Sequence, residues 1–348
     1  MSGTVRVGII GLGKMGLIRA RELARHPHAE IVCGYDPDPA AFRVAYPDVR
    51  VLDSMEAVST SADVDAVFVC TPNVYTPQAV IAALDAGKHV FSEKPPGRFL
   101  SDIREIMGVE ARNPGLKLMF GFNHRYHAGV QEARRIVDSG RLGRLLWLRG
   151  VYGKSGGKDL EEGWRSDKEM VGAGILLDQG IHMVDLFLML LGDIVEVKSM
   201  VTTAHWDVPV EDNAFALLRD ADGHVGMLHS SSTQWKHRFN LEIYMSEGYL
   251  SVNGILSSTR SYGDETISVA RRRTGGAASS GTTNEEVIYF DTDPSWELEV
   301  AEFLDNVRSD KPVRMGDSRQ ALKAMEVVYA IYRDDAQFMR SPSAPLET

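Results

Sequence analysis

The stretch Val5-Arg6-Val7-Gly8-Ile9-Ile10-Gly11-Leu12-Gly13-Lys14-Met15-Gly16, running on into Leu17-Ile18-Arg19-Ala20-Arg21-Glu22-Leu23-Ala24-Arg25, decides the fold. A β-branched apolar run, a glycine turn and a series of good helix formers read as strand, tight turn and helix. The glycines have separate roles. Gly11 permits the turn, Gly13 lets the backbone approach a pyrophosphate, and Gly16 lets the helix pack closely on the strand. The helix start adds free N–H groups and a positive dipole end. A second strand, Glu30-Ile31-Val32-Cys33-Gly34-Tyr35, ends at Asp36, 20 residues beyond Gly16. A carboxylate at that distance accepts hydrogen bonds from the adenosine ribose hydroxyls. Pro37-Asp38-Pro39 follows, with no Arg or Lys until Arg43. A 2′-phosphate would meet carboxylates there, so NAD is expected in preference to NADP, held by Gly11, Leu12, Gly13, Lys14, Met15, Gly16 and Asp36.

The same alternation runs on. Ala66-Val67-Phe68-Val69-Cys70 leads into Thr71-Pro72-Asn73, a helix over 76–86 and a strand His89-Val90-Phe91. This predicts an α/β unit with a parallel, doubly wound sheet. Ligands of such sheets sit beyond the carboxyl ends of the strands, which places Thr71, Pro72, Asn73 and the Ser92-Glu93-Lys94-Pro95-Pro96 segment beside the cofactor. A lysine on a rigid loop there can donate or accept the proton that accompanies hydride transfer, especially where partial burial lowers its pKa.

From Gly121 the periodicity changes. Segments such as Leu145-Leu146-Trp147-Leu148, Val195-Glu196-Val197, Asn213-Ala214-Phe215-Ala216 and Phe239-Asn240-Leu241-Glu242-Ile243-Tyr244 read as strands without long helices between most of them. The expectation is an α+β unit with an open, mostly antiparallel sheet, helices on one face and a subunit partner on the other. The division expected is 1–122, 123–339 and a tail 340–348. Arg271-Arg272-Arg273, followed by Gly275-Gly276 and Ser279-Ser280-Gly281, reads as a solvated hairpin loop. Gly153-Lys154-Ser155 mimics the end of a phosphate loop, but the first glycine of that motif would fall on Leu148, so the motif is not formed. The glycine-rich loop with Lys154 and Lys158 reads either as a contact for an anionic substrate or as a mobile connection, and Asp159, Glu161 and Glu162 nearly cancel its charge.

The helix near Gly174 carries Leu177-Asp178-Gln179-Gly180-Ile181-His182. Asp178 and His182 are four residues apart and Asp185 seven beyond Asp178, so all three are expected on one helical face toward a cleft. Asp178 would then orient the His182 imidazole and stabilise its charged form, as a general acid/base requires. No further His or Cys stands at ligand spacing, so no metal is expected.

Composition agrees with a two-unit globular chain. The 348 residues carry a net charge of −10 with 44% hydrophobic residues, a length that suggests about two domains. That charge disfavours polyanions, so neither nucleic acid nor an anionic membrane surface is expected as a partner. Residues 175–191 are strongly apolar, but Asp178, His182 and Asp185 interrupt them, which suits a core helix. The two cysteines, Cys33 and Cys70, fall in buried strand patterns and read as packing residues. No leader pattern precedes the first strand, and cytoplasmic placement is expected.

Gly11-Leu12-Gly13-Lys14-Met15-Gly16, Cys70-Thr71-Pro72-Asn73, Ala86-Gly87-Lys88-His89-Val90, Glu93-Lys94-Pro95 and Gly174-Ile175-Leu176-Leu177-Asp178-Gln179-Gly180-Ile181-His182, in this order, resemble the glucose-fructose oxidoreductase/inositol dehydrogenase (Gfo/Idh/MocA) family. Trp296-Glu297-Leu298-Glu299 looks like that family's late helix start. The resemblance implies a Rossmann unit plus a second α+β unit, an oxidoreductase acting on a sugar, cyclitol or nucleotide sugar, and a homodimer or homotetramer. It implies Lys94, Asp178 and His182 as catalytic residues, Glu93, Lys94 and Asn123 beside the cofactor, and Lys94, Arg125, Trp164, Arg165, Asp178 and His182 at the substrate. Thr76 stands where the family commonly has His. Two further readings belong to the same family resemblance: a glycoside hydrolase that uses transient oxidation and elimination, and a non-catalytic regulator that responds to NAD.

Overall fold

The β-branched run that opens the chain forms β1 (Val5–Ile10), buried except for partly exposed Arg6. A strand apolar on both faces belongs in the middle of a parallel sheet, covered by helices above and below. β1 is flanked by β2 (Ala29–Tyr35), β3 (Arg50–Val51), β4 (Ala66–Val69), β5 (His89–Glu93) and β6 (Leu118–Gly121), in the order β3-β2-β1-β4-β5-β6. All pairings are parallel. α1 (Lys14–Arg25), α2 (Ala40–Ala45), α3 (Met55–Thr60), α4 (Thr76–Asp85) and α5 (Leu100–Arg112) make the crossovers. The strand order reverses between β1 and β4, and the crevice beyond their carboxyl ends is where such sheets take ligands. This computed structural model describes residues 3–272 and 284–347.

The second unit contains α6 (Ala128–Asp138), β7 (Leu145–Gly153), the short α7 (Lys158–Glu161) and α8 (Lys168–Val171), and α9 (Ile181–Leu191). Then come β8 (Ile194–Thr202), β9 (Asn213–Asp220), β10 (Val225–Ser231), β11 (Arg238–Met245), β12 (Gly248–Asn253), β13 (Glu265–Arg271) and β14 (Glu285–Phe290), followed by α10 (Ser295–Arg308) and α11 (Ser318–Asp334). The eight strands lie in the order β14-β13-β12-β11-β7-β10-β9-β8. Among the described strands only β7 and β10 pair in parallel, so the sheet is mostly antiparallel, as its alternating sequence pattern implies. The hairpin loop expected after Arg271 falls largely on residues 273–283, which lie outside the described residues. Along β9 exposed and buried residues alternate. α9 and α11 pack together near this sheet, while Trp147, Phe215, Leu217 and Met227 remain exposed on its other face.

Two features depart from a simple linear division. α10 lies far beyond residue 122 yet packs into the first sheet: Val300, Phe303, Leu304 and Val307 share a core with Val5, Val7 and Ile9. Phe303 meets Phe68 and Phe91 edge-on, at 5.4 and 5.7 Å between ring centres. Periodicity reports which face of a helix is apolar and not which sheet it meets, so this return is not legible from the pattern. The segment Lys168–Leu191 has the length and hydropathy of a membrane span, but 72% of its most apolar window is buried inside the fold. It runs through α8, the π-turn Leu176–Gly180 and α9 and belongs to the core of the second unit.

Candidate active site

The glycine turn has the backbone that a diphosphate requires. Gly11 has φ +90°, and a Cβ there would strike the Cys70 carbonyl; a Cβ at Gly16 would strike the Gly11 carbonyl oxygen. Gly13 is different. No atom lies within 4 Å of the place its Cβ would occupy, so its lack of a side chain serves an approach from outside the fold. Gly13 also caps α1 with no side-chain hydrogen bond, and the first turn holds no acidic residue. The N–H groups beyond it therefore present a positive end, beside Lys14, to an anion. The Asp36 carboxylate accepts the Leu12 N–H at 2.7 Å and the Asp38 N–H at 2.8 Å, which fixes it at the rim of the turn with lone pairs to spare. The cradle fits a dinucleotide.

Across the crevice, Thr71 and Thr76 share a hydroxyl hydrogen bond of 3.1 Å, and the Thr76 hydroxyl also reaches the Pro72 carbonyl at 3.3 Å. Thr76 is thus a buried tie within the Thr71-Pro72-Asn73 loop. Asn73 donates to the Val171 carbonyl at 2.9 Å, and the Val74 N–H donates to the Met170 carbonyl. These bonds hold α8, from the second unit, over the loop of the first.

Lys94 emerges just past β5, at the carboxyl edge of the first sheet. Its Nζ donates to the Asp178 carbonyl oxygen at 2.5 Å and lies 3.5 Å from Asp178 Oδ1. Asp178 Oδ2 lies 3.2 Å from Lys154 Nζ and 3.7 Å from Arg165 Nε. Burial alone would push the Asp178 carboxyl up; Lys154, Lys94 and Arg165 outweigh it and hold the group well below the usual carboxylate range. Burial lowers the Lys94 ammonium, and the Asp178 and Glu93 carboxylates partly offset this. His182 is 5% exposed, with its ring stacked on His124 at 3.8 Å. Burial, and then the charge of Lys94, hold His182 well below the ordinary imidazole value, so it is neutral at neutral pH. Its Nδ1 is buried without a hydrogen-bond partner.

The expected pairing of Asp178 with His182 is corrected by the ion pairs of the site. Leu176–Gly180 is a π-helical turn that leads into α9. The Asp178 carboxylate is taken by three cations, makes no hydrogen bond to His182 among the described residues, and does not stabilise an imidazolium there. Asp185 is also turned elsewhere. It forms a two-pronged buried pair with Arg125, through Nε at 2.7 Å and through Nη2, while Arg125 Nη1 donates to Gln320 Oε1 at 2.5 Å. The resemblance places Arg125 at the substrate, but its donors are committed inside the protein. Removing one partner of such a pair leaves an uncompensated buried charge, so Asp185→Ala is expected to cost about 3–5 kcal/mol in urea unfolding. A loss below about 1 kcal/mol, the range of an exposed pair, would mean that Arg125 is solvated or turned to the cleft.

Glu93 and Asn123 are likewise held inside. Glu93 Oε1 accepts a hydrogen bond from Arg19 Nε at 2.7 Å and lies 2.7 Å from Nη2, and Glu299 Oε2 lies 2.6 Å from the same guanidinium. Arg19 is fully buried and lies over the rings of Phe91 and Trp296 at 4.4 and 4.7 Å. Burial pushes the Glu299 carboxyl up to about 8. This network joins α1, β5 and α10 below the crevice, and explains why Trp296 and Glu299 stand together at the start of a late helix. Asn123 donates to Ser295 Oγ at 3.3 Å and is only 4% exposed. Trp164 and Arg165 do reach the Asp178 cluster, with Arg165 stacked on the Trp164 ring at 4.5 Å.

Lys154 belongs to the loop that the sequence leaves open between an anionic-substrate contact and a mobile connection, and it reaches Asp178. Its loop is anchored: the Lys154 N–H donates to the Ser231 carbonyl, the Gln234 N–H donates to the Lys154 carbonyl, and Ser155 Oγ lies 3.0 Å from His237 Nε2. The available signal is the pair of lysines in a glycine-rich loop before the Asp178 helix; what it lacks is any indication of which lysine faces inward. Among the described residues, Asp220, Asp222 and His224 also gather at the β9–β10 turn, where Asp220 accepts from the N–H of His224 and pairs with its Nδ1.

Residues 5–122 match a model described as an oxidoreductase family with an NAD-binding Rossmann fold, and residues 130–251 match the GFO/IDH/MocA C-terminal domain. The chain is 30% identical over 252 residues to D-glucoside 3-dehydrogenase of Escherichia coli K12, covering 66% of this chain and 71% of that one. It is 28% identical over 293 residues to 2,7-anhydro-N-acetylneuraminate hydratase of the same organism, covering 83% and 73%. A solved structure of levoglucosan dehydrogenase in complex with NADH superposes with a TM-score of 0.84 at 20% identity, over 96% of this chain and 98% of that one.

Proposed function

The chain belongs to the Gfo/Idh/MocA family of oxidoreductases, and on that footing we propose that it is an NAD-dependent, cytoplasmic enzyme that interconverts a hydroxyl and a keto carbon on a sugar, cyclitol or nucleotide sugar. The observation that carries this reading is the meeting of Lys94, at the end of a strand in the dinucleotide sheet, with Asp178, on the helical segment that leads to His182. Proton-transfer groups from both units converge beside the crevice, an arrangement that a pure binding protein does not need.

Bound nicotinamide supplies the hydride acceptor or donor. In the direction of oxidation, neutral His182 takes the hydroxyl proton, while the Lys94 ammonium donates a hydrogen bond to the same oxygen as its negative charge grows. Asp178 serves as an anchor: its carbonyl and Oδ1 hold Lys94 in place, and its charge keeps Lys154 and Arg165 beside the pocket. In reduction the proton flows back from the same groups.

NAD is proposed over NADP because the Asp36 carboxylate, held at the rim of the glycine turn, and Asp38 next to it would repel a 2′-phosphate. Asp36→Ser combined with Pro37→Arg is expected to shift kcat/KM toward NADP by at least about 10-fold, since the change removes a repulsive carboxylate and adds a phosphate partner. An unchanged cofactor ratio would contradict the assignment of Asp36. Exposed Trp147, Phe215, Leu217 and Met227 on one face of the second sheet support a homodimer or homotetramer formed through that face.

The reaction is tested by following reduced nicotinamide absorbance with purified protein, NAD or NADP, and a panel of cyclitols, hexoses and nucleotide sugars. Oxidation of one class supports the dehydrogenase. The similarity to a hydratase over 83% of the chain supports a second reading, transient oxidation followed by elimination with NAD restored in each cycle. Under that reading substrate is consumed without net formation of NADH.

A further inference from the structure

We infer that the substrate carries an anionic group, a carboxylate or a phosphate ester, which sits between Lys154 and Arg165. The inference rests on the proposed reading of the cleft as an oxidoreductase site and names the class of sugar that it takes.

Charge balance is the first ground. Lys94, Lys154 and Arg165 share one carboxylate, that of Asp178, so three cations meet a single anion there. Of the acids expected to cancel this charge, Asp159 has a side chain outside the described residues, and Glu161 and Glu162 are exposed with no ion pair to this cluster among the described residues. Lys94 and Lys154 are largely shielded from water, at 15% and 19% side-chain exposure. Partly desolvated cations in excess are unfavourable unless an anion joins them.

Geometry is the second ground. Arg165 lies over the Trp164 ring, its Nε is 3.7 Å from Asp178, and its side chain is 41% exposed. A half-exposed guanidinium whose plane is set by an indole is organised for a two-oxygen acceptor. Lys154 is held too, by main-chain bonds on both sides and by the Gly156 backbone packed against Trp206. The two cations thus form a rigid, half-open seat next to the proton-transfer groups.

The test is calorimetric titration of the NADH-saturated protein and of its Lys154→Gln and Arg165→Gln variants with D-glucuronate, D-glucose 6-phosphate, D-glucose and myo-inositol. One of the two anionic sugars is expected to bind at least about 10-fold tighter than the uncharged ones, and each variant to lose about 10–100-fold of that affinity, as for hydrogen bonds to a charged group. NADH affinity should be unchanged in both variants. Whether glucuronate or the phosphate ester binds better identifies the anion. Equal or tighter binding of the uncharged sugars, absence of binding by both anions, or variants without effect would overturn the inference. Oxidation of neutral sugars with no preference for anions would overturn it while leaving the dehydrogenase reading intact; tight anion binding without redox chemistry would do the reverse.

Discussion

Lys94→Met is expected to lower kcat by roughly 10²–10⁴-fold, the usual contribution of a positioned proton-transfer group, while NAD affinity changes little. Methionine keeps the length of the stem and removes the ammonium, so packing against the crevice persists. The ammonium links the dinucleotide sheet to Asp178, through a 2.5 Å hydrogen bond to the carbonyl and a 3.5 Å approach to Oδ1. The proposed cofactor cradle is made of other features: the glycine turn, the uncapped end of α1 and Asp36. If the variant instead loses NAD binding with kcat preserved at saturating cofactor, Lys94 is a cofactor anchor and the proposed chemistry fails. Equilibrium titration of NAD beside steady-state kinetics separates the two.

His182→Ala carries a comparable loss in kcat, roughly 10²–10⁴-fold, and a further consequence for pH. In the intact protein burial and the nearby Lys94 charge lower the His182 pKa, and His127 and Arg19 add to this. In the proposed mechanism the neutral form is the proton acceptor for oxidation. Activity is therefore present above the lowered pKa and is lost as pH falls through it, well below the ordinary imidazole value of 6.5. An Asp178-stabilised imidazolium would have put that loss above the ordinary value. A kcat/KM profile for oxidation that stays level through pH 6.5 and drops only at lower pH agrees with the structure. One that already declines above it restores the carboxylate–imidazole pair that the geometry lacks.

How much of this can be read in the chain depends on whether the information is local. The β1-turn-α1 unit is local: strand burial, turn backbone and helix start all follow from residues 5–25, and Asp36 arrives at the end of the next strand. The six-strand parallel sheet and the mostly antiparallel second sheet follow from the change in periodicity after Gly121. Spacing on a helix, by contrast, tells which residues share a face and not which partners they meet: Asp178 is taken by Lys94, Lys154 and Arg165 and not by His182. Charged residues near a site are also read as facing it. Glu93 and Arg125 are instead taken up by Arg19 and by Asp185, because a buried charge needs a partner and long-range partners leave no trace in spacing. The return of α10 to the first sheet is hidden for the same reason.

Direct hydride transfer between a substrate carbon and the nicotinamide at the Lys94–His182 site is the step on which the proposed function stands. It is followed by supplying the protein with NADH deuterated at the transferable C4 position and the keto form of the sugar that it accepts, and then locating the label by NMR. Deuterium is expected on the new hydroxyl-bearing carbon of the product, with transfer suppressed in Lys94→Met although the cofactor still binds. Product without deuterium on that carbon, or transfer undiminished in Lys94→Met, would contradict the mechanism.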